Sequence, residues 1–276
     1  MPPNRQTAPS LAAALPTGLP QAERSVPRLP SLPRVVLARV ETLPAGAWSA
    51  EHSHPWGQLS YASRGVLQVH TAAGHFIAPP ERAVWVPAGL PHTVVNTGPA
   101  EMRSLYVASP GHGMPGDCRV LEIGPLLREL ILAVCALPEL YDDTGAEGRL
   151  VQVLLDQLAQ ARSAVMALPL PTDKRLLRLC AALQAQPADL RTWGEWAQDV
   201  GTSERSLVRL FQQQTGLTPG AWRRRLRLLL SLSPLAAGDK VASVALDSGY
   251  ASASAFITAF SAEFGVTPAQ MFAAER

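Results

Sequence analysis

Arginine is the side chain with the clearest chemical potential in this sequence. Four arginines fall within one five-residue segment: Arg223, Arg224, Arg225 and Arg227. Guanidinium groups at that density on a helix are suited to DNA phosphates, although a run of charge is more often a solvated surface. From Pro171 onward the chain has 12 Lys and Arg against 9 Asp and Glu, so the excess positive charge lies there.

The same C-terminal part contains one nine-residue phrase twice. Residues 211–219 read FQQQTGLTP and residues 260–268 read FSAEFGVTP, and both follow Phe-x4-Gly-x-Thr-Pro. A serine precedes each copy, Ser203 or Ser252, and an Ala-x-Asp-x-Gly segment lies further upstream. The two Ala-x-Asp-x-Gly segments are one residue closer together in sequence than the two copies of the phrase. The spacing predicts two copies of helix, glycine turn and helix, with one extra residue in the second turn.

Each landmark of the repeat has a physical role. The serines can cap the helix that follows, Gly216 and Gly265 suit the left-handed residue that ends it, and Thr-Pro begins the next element. Three apolar residues of the first such helix, 204–215, share one face: Leu207, Leu210 and Phe211. The outward residues are then Arg205, Ser206, Val208, Arg209 and Gln212. This pattern predicts a helix-turn-helix, whose second helix enters the major groove of DNA.

The segment between the copies, PGAWRRRLRLLLSL, predicts a connecting helix. At 1.5 Å per residue, about 14 residues span about 20 Å, which would hold two heads over successive major grooves. A single helix-turn-helix also occurs in purely structural bundles, so the second copy is what favours DNA. Pro234 is expected to end the connecting helix sharply.

Residues 174–272 resemble the DNA-binding region of AraC/XylS-type transcription regulators, through WAQDVGTSERSLVRLFQQQTGLTPGAWRRRLRLL and VASVALDSGYASASAFITAFSAEFGVTP. The resemblance implies that outward residues of both recognition helices enter the major groove. By position these are Arg205, Ser206, Val208, Arg209, Ala253, Ser254 and Thr258. The expected DNA-binding set is completed by Ser203, Gln212, Arg223, Arg224 and Ser252. Arg205 and Arg209 can bind guanine in a bidentate manner, whereas the second helix is expected to read thymine methyl groups and DNA shape.

Residues 35–108 consist of short Val-, Leu- and Tyr-rich runs separated by Gly and Pro, which predicts an all-β unit. GAWSAEHSHPWGQLSYASRG, starting at Gly46, resembles the first cupin motif, with Gln58 where that fold usually has Glu. PAGLPHTVVN, starting at Pro87, resembles the second, and Glu81 replaces its opening Gly. The resemblance implies a small β-barrel with four side chains converging inside: His52, His54, Gln58 and His92.

Three converging imidazoles can ligate Zn²⁺, Ni²⁺, Fe²⁺ or Mn²⁺, with the Gln58 amide oxygen as a weak fourth ligand. The alternative is that these histidines hydrogen-bond one another and the barrel rim without a metal. Trp56 and Trp85 are candidates for the mouth of a small-molecule pocket, or for ordinary packing. The candidate effector-binding set is therefore His52, His54, Trp56, Gln58, Trp85 and His92.

The whole chain is predicted to be an α+β multidomain protein: a cupin-like barrel, then helices, then an all-α domain with two helix-turn-helix motifs joined by a linker helix. Helical spacing appears at 120–135 and 148–162, and MALPLPTD (166–173) is interpreted as a linker. The expected divisions are a disordered arm (1–34), the barrel (35–110), a helical dimerisation and coupling segment (111–165) and the DNA-binding domain (172–276).

Our hypothesis from the sequence is a one-component bacterial transcription regulator, not an enzyme, that senses a small molecule or metal. Its expected partners are double-stranded promoter DNA, a second copy of the chain and, if it activates, RNA polymerase. Three widely spaced cysteines and the absence of an apolar run of about 18 residues suit a cytoplasmic protein that does not contact membranes. Two alternatives remain: a metal-dependent cupin enzyme, such as a dioxygenase or isomerase, with accessory DNA-binding helices, and an architectural DNA-binding protein whose barrel only dimerises.

Overall fold

The computed structural model describes residues 22–26, 29–108 and 113–273, and its first half is built from strands. The strands are β1 (Ala22–Glu23), β2 (Val36–Leu43), β3 (Ala47–Trp48), β4 (Gly57–Arg64), β5 (Leu67–Thr71), β6 (Gly74–Ala78), β7 (Arg82–Val86), β8 (Thr93–Val95), β9 (Ala100–Val107), β10 (Arg119–Glu122), β11 (Ser163–Ala164) and β12 (Ala167–Pro169). They form two six-stranded sheets with the orders β1-β3-β8-β5-β6-β12 and β11-β10-β7-β4-β9-β2.

The two sheets pack face to face, and alternation along each strand decides which side chains enter the barrel. On β4, Ala62 lies in the core between the sheets, while Leu59 and Tyr61 belong to a second core beneath the helices that follow. The same pleat places Gln58 and Ser60 on the barrel side. Gln58 and Ser60 therefore lie inside with Ala62, whereas Leu59 and Tyr61 pack against the helices outside.

The barrel extends beyond the range 35–110 that the sequence predicts. β10 pairs with β7, and β12, formed by part of the expected linker, pairs antiparallel with β6. These late strands carry too few residues for a periodic signal, and their partners lie far away in sequence. At the other end, β1 pairs in parallel with β3 and Arg24 is buried, so this part of the expected arm is ordered. Residues 1–21 and 27–28 of that arm lie outside the described residues.

Two helices pack against the outer face of the second sheet, α1 (Pro125–Cys135) and α2 (Ala146–Gln160). The sequence placed the first helix at 120–135, but 120–122 belongs to β10 and the helix begins at Pro125. Proline fits the first helical position, where its missing N–H needs no partner. The helical segment predicted for 111–165 is thus a helical hairpin flanked by two barrel strands.

From Lys174 onward the described chain is helical, as predicted. The helices are α3 (Lys174–Ala185), α4 (Trp193–Asp199), α5 (Glu204–Thr215), α6 (Pro219–Ala236), α7 (Val241–Asp247), α8 (Ala253–Phe264) and α9 (Pro268–Met271). Ser203 and Ser252 accept hydrogen bonds of 3.2 Å from the backbone N–H of Ser206 and Ala255. Gly216 and Gly265 end α5 and α8 with φ of 74° and 77°. The predicted helix-turn-helix repeat is confirmed.

Pro234 does not end the connecting helix, which continues to Ala236. Proline removes the backbone bond to the residue four positions earlier, but only two helical residues follow it here, so the loss is confined to the last turn. The expectation that the helix ends at Pro234 was wrong, because the helix continues for two more residues. The helix is 18 residues long instead of about 14.

Glu81 is the non-glycine residue with positive φ in the described chain, at 62°. It stands where the second cupin motif usually opens with Gly. Its carbonyl accepts a hydrogen bond of 2.9 Å from the N–H of Ile123, which ties the turn to the strand-to-helix connection. Left-handed backbone costs an L-residue about 1–2 kcal/mol, so the turn keeps its shape at a local cost in stability.

Candidate effector site and nucleic-acid interface

The three histidines of the predicted metal set meet at one point. His52 and His54 precede β4, and His92 precedes β8. His52 and His92 exchange two backbone hydrogen bonds of 2.9 and 3.0 Å, which fixes their rings 4.3 Å apart. One ring nitrogen from each of the three lies within 4.8 Å of the others. Gln58, on β4, lies against His54 and His92, so the structure assembles all four predicted residues.

Backbone carbonyls set the orientation of these imidazoles. The Nδ1 atoms of His52, His54 and His92 lie 2.9, 2.6 and 2.9 Å from the carbonyl oxygens of Ala50, Trp56 and Leu90. Because a carbonyl oxygen only accepts, each Nδ1 carries the proton in the neutral ring. Each Nε2 is left with a lone pair, which is the state of a histidine ready to bind a metal.

The Gln58 amide completes a cluster of lone pairs. Its Oε1 lies 2.9 Å from His54 Nε2 and 3.2 Å from His92 Nε2, and its Nε2 donates to Ser60 Oγ at 3.0 Å. No proton is available between Oε1 and either ring nitrogen. Two arrangements satisfy these atoms: a cation among them, or a rotated amide whose NH₂ donates to both imidazoles while Oε1 accepts from Ser60.

Burial favours the neutral form of His52 and His92. It lowers the pKa of His92 to about 3, with a further lowering by the neighbouring His52, and it lowers the pKa of His52 in the same direction. Neutral imidazole is the form that binds metals, so no proton has to be displaced from the rings of His52 and His92 near neutral pH.

The two candidate tryptophans occupy different places. Trp56 is buried and stacks on His54, with ring centroids 5.4 Å apart and planes 7° apart. Trp85 lies on the other side of its sheet, in the core beneath α1 and α2, and its Nε1–H donates to the Pro115 carbonyl at 2.7 Å. The assignment of Trp85 to the effector pocket was therefore wrong.

A cavity of about 630 Å³ opens beside His52 and His54. Its far wall is the strand-forming segment of the N-terminal arm, including Arg24, which makes an ion pair with Glu41. Arg39 shares the same carboxylate at 2.9 Å. A small molecule in this cavity would contact both the histidine cluster and the arm.

The first helix-turn-helix presents most of the predicted residues to solvent. Arg205, Arg209 and Gln212 are exposed on α5, whereas Leu207 and Phe211 are buried. Ser206 and Val208 are half-buried at the edges of the exposed face, and Val208 packs against the core. The cap at Ser203 fixes where this helix begins, so the two guanidinium groups stand one turn apart at a defined height.

The second helix-turn-helix repeats this geometry with other side chains. Phe256 and Phe260 are buried, and Ser254 and Thr258 are exposed as predicted. Ala253 is half-buried, and 49 residues separate it from Glu204 at the helix start and not from Arg205. The set of DNA-binding residues predicted from the sequence omitted Ala255 and Ile257, which are exposed and correspond to Ser206 and Val208. Counting 49 residues from Ser203 to Ser252 would have found both.

Most of the arginine cluster on α6 is engaged within the protein. Arg223 donates to the carbonyl of Arg191 at 3.1 Å and lies over the Trp193 ring, and burial lowers its pKa. Arg225 binds Glu263 of α8 at 2.5 Å, and Arg227 donates to the carbonyl of Pro187 at 2.6 Å. Arg224 is exposed and is the member of the cluster without a hydrogen bond or ion pair to other described residues. It is the arginine of this cluster best placed for phosphate.

A polar interface joins the barrel to the helices that follow it. Trp222 of α6 donates to the Pro169 carbonyl of β12 at 2.7 Å. Gln184 of α3 donates to Nδ1 of His75 at 3.1 Å, and the His75 ring stacks on His70 at 3.9 Å. His70 and His75 are directly opposed on β5 and β6. The sequence analysis did not single out this pair, since neither residue belongs to a motif.

Comparison with known proteins agrees with this geometry. A family model described as a helix-turn-helix domain matches residues 196–274, and one described as a cupin domain matches residues 39–108. The HTH-type transcriptional regulator NimR of Escherichia coli is 35% identical over 225 residues, which are 82% of this chain and 82% of NimR. This chain belongs to the AraC family of transcription regulators.

Two further proteins are similar to this chain over different shares of its length. The HTH-type transcriptional activator RhaS of Escherichia fergusonii is 37% identical over 101 residues, covering 36% of each chain. The crystal structure of ToxT from Vibrio cholerae covers 86% of this chain and 97% of its own, with 11% identity and a TM-score of 0.37. NimR and RhaS are named as transcription regulators, and the helix-turn-helix match within this chain supports DNA binding, so the enzymatic alternative is not favoured. No helix of the described residues is long and apolar enough to cross a membrane.

Proposed function

We propose that this AraC-family regulator is a one-component sensor, in which a divalent transition metal bound by His52, His54, Gln58 and His92 controls promoter binding. The observation that carries the proposal is the convergence of lone pairs: each imidazole has its Nδ1 proton committed to a carbonyl, and the Gln58 oxygen faces two Nε2 atoms. Nitrogen and oxygen donors of this kind suit Zn²⁺, Ni²⁺, Fe²⁺ or Mn²⁺.

A small organic effector is a second candidate, supported by the cavity beside the histidines. About 630 Å³ lies within the usual size of small-molecule pockets. Trp56 lines its inner side and the arm segment its outer side. A metal at the base and an organic ligand above it are compatible occupants, since the cavity and the lone-pair cluster are adjacent.

The route from sensor to DNA passes through the barrel–helix interface. The hydrogen bond from Trp222 to Pro169 connects β12 to α6, the helix that joins the two helix-turn-helix motifs, or heads. Trp222 also packs edge-on against Phe211 of the first recognition helix, with centroids 5.7 Å apart. A shift of β12 when the barrel is occupied would therefore move the two heads relative to their target.

A homodimer is proposed through the α1–α2 hairpin. Three large apolar side chains there are exposed: Leu126 (59%), Leu140 (67%) and Val153 (45%). Covering them against a second copy would stabilise the pair by removing apolar area from water. Light scattering of wild type and of Leu126→Asp/Val153→Asp tests this assignment: a dimer that becomes a monomer supports it, and a wild-type monomer contradicts it. RNA polymerase is a further partner if the protein activates transcription.

The sensor is tested by metal content and operator response. Protein purified without chelators is analysed for Zn, Ni, Fe and Mn, and its affinity for a selected operator is measured with each metal and after EDTA treatment. About one metal per chain, together with a change in operator affinity on its removal, supports the proposal. Metal-free protein that takes up none of the four metals would contradict the proposal. The histidines would then be hydrogen-bonded by the rotated Gln58 amide.

DNA docking is tested separately with Arg209→Ala. If Arg209 binds a guanine, the variant loses about 1–3 kcal/mol on the operator and relaxes preference at one base pair, while affinity for random DNA changes much less. Arg178→Ala is the matched control for the loss of one positive charge, because Arg178 is exposed on α3 and lies outside both recognition helices. Equal losses on operator and random DNA at one salt concentration would mean that Arg209 contacts only phosphate.

A further inference from the structure

The two recognition helices carry chemically different stripes at equivalent positions. On α5 the stripe consists of Arg205, Val208, Arg209 and Gln212. Forty-nine residues later, on α8, it consists of Ser254, Ile257, Thr258 and Ser261. Spacing of three, four and seven residues places each set along one side of its helix. We call these four positions the recognition stripe of each head.

The stripe of the second head lacks the donors of the first. Two guanidinium groups, a valine and an amide on α5 are replaced by two serines, an isoleucine and a threonine, and α8 contains no Lys or Arg. The Thr258 hydroxyl donates to the Ser254 carbonyl at 3.0 Å, so its proton is committed within the helix. The Ser261 hydroxyl is shielded from solvent. Little of this stripe can therefore donate to a base edge.

Ile257 is the largest side chain of the second stripe, and its side chain is exposed. Its exposed fraction is 37%, whereas the equivalent Val208 is half-buried against the core. The apolar core of this head is already supplied by Phe256 and Phe260, whose rings are 5.6 Å apart. Ile257 is thus available to a partner that covers α8, and the proposed partner of that surface is the major groove.

We propose that Ile257 selects thymine in the second half-site by packing against its 5-methyl group. The proposal rests on the docking of both heads proposed above and specifies the base chemistry that the second head recognises. The thymine methyl is the apolar group that base pairs display in the major groove. The operator is then expected to be asymmetric, with guanine read by the first head and thymine by the second.

The experiment removes the methyl group and nothing else. An operator is selected from random duplexes with the full-length protein, and each thymine is replaced in turn by uracil, which pairs identically but lacks the 5-methyl. Wild type is expected to lose affinity about fourfold at one or two positions under the second head, the worth of one buried methyl group. Ile257→Ala should bind the thymine operator more weakly and become insensitive to uracil at those positions.

Two controls keep the interpretation unambiguous. Ile257→Val retains two methyl groups and should show a reduced uracil effect if the contact is one of packing, and Val208→Ala should leave the uracil pattern under the second head unchanged. Equal uracil effects in wild type and Ile257→Ala would overturn the assignment, as would a footprint over both half-sites with no uracil effect under the second. A footprint over one half-site alone would overturn the two-head docking and the assignment together.

Discussion

His52, His54 and His92 differ from His70 and His75 of the same barrel in which ring nitrogen holds the proton. In the first cluster, every Nδ1 faces a backbone carbonyl, so the Nε2 lone pairs converge. In the second, His70 Nε2–H donates to Gln68 at 3.3 Å, while His75 Nδ1 accepts from Gln184. The lone pairs of the first cluster converge where the proposed ligand would bind, whereas the His75 Nδ1 lone pair accepts the hydrogen bond that joins the barrel to α3.

The surroundings of the two clusters reinforce this difference. His52 is partly exposed beside a cavity, which gives a ligand a way in. His70 and His75 are buried, stacked within 15° of parallel, and face α3. Residue type is therefore a poor guide to function in this barrel, and hydrogen-bond direction is a better one.

The largest expected difference between the two histidine clusters is in metal binding. We expect the His52→Ala/His54→Ala/His92→Ala variant to bind Zn²⁺ or Ni²⁺ about 1,000-fold or more weakly than wild type, because three of the four proposed ligands are lost and even structural zinc sites draw their binding energy of about 10 kcal/mol or more from such ligands. Isothermal titration measures the affinities. The matched control, His70→Phe/His75→Phe, should bind metal like wild type. Loss of metal in the control but not in the triple variant would reverse the roles assigned to the two clusters.

Acid should act on the second cluster through stability. Burial lowers the pKa of His75 from 6.5 to about 4, so between these values the unfolded chain binds a proton that the folded chain does not. Stability is then full above pH 6.5 and falls as the pH drops towards 4, by about 3 kcal/mol at 1.36 kcal/mol per pKa unit. The buried His70 adds a loss of the same sign.

Urea unfolding of metal-free protein from pH 7.5 to 4.5 measures this dependence. His52 and His92 also have lowered pKa values, so the His75 contribution is taken as the difference between wild type and His75→Phe. The variant should show a flatter decline with falling pH. Parallel curves for the two proteins would mean that His75 titrates normally in the folded state.

The features that sequence could predict are those set by neighbours along the chain. Caps, left-handed glycines and the extra residue in the second turn depend on local backbone rules, so Ser203, Gly216 and their copies were placed correctly. The face of Trp85 was not, because β7 is apolar on both sides: Val84 and Val86 enter the barrel while Ala83 and Trp85 face the helices. Alternation carries no signal in such a strand.

The candidate site also contains residues that motif spacing predicts and residues that only the folded structure reveals. The cupin spacing predicted His52, His54, Gln58 and His92 together, because one motif holds three of them and the second supplies the fourth. Arg24 and Gln184 reach the barrel from segments with no motif, so only the folded structure reveals them. The helical arginines were assigned by charge density alone, and their carbonyl partners depend on tertiary packing.

A smaller effect on metal affinity is expected from a substitution at Gln58 in the first cluster. Gln58→Glu should tighten metal binding about tenfold, since a carboxylate brings negative charge to the fourth position where the amide oxygen brings none. The same titration measures it, with Gln68→Glu, beside His70, as the matched control that should leave metal affinity unchanged. Weaker binding in Gln58→Glu would indicate that its side chain serves the hydrogen-bonded network with Ser60 and not a cation.

The smallest expected effect concerns the bond that the second cluster makes between barrel and α3. Gln184→Ala removes the donor to His75 Nδ1 and should cost about 1 kcal/mol of stability, the usual net worth of one such hydrogen bond. Because Gln184 lies outside both recognition stripes, affinity of the metal-loaded protein for the operator should stay near wild type. The change in that affinity on metal removal should shrink, since one link between sensor and heads is missing. Thermal unfolding and operator titration with and without EDTA measure the two effects. A full metal response in Gln184→Ala would assign the coupling to the other contacts between barrel and helices, among them the bond from Trp222 to Pro169, and leave the His75 pair a purely structural role.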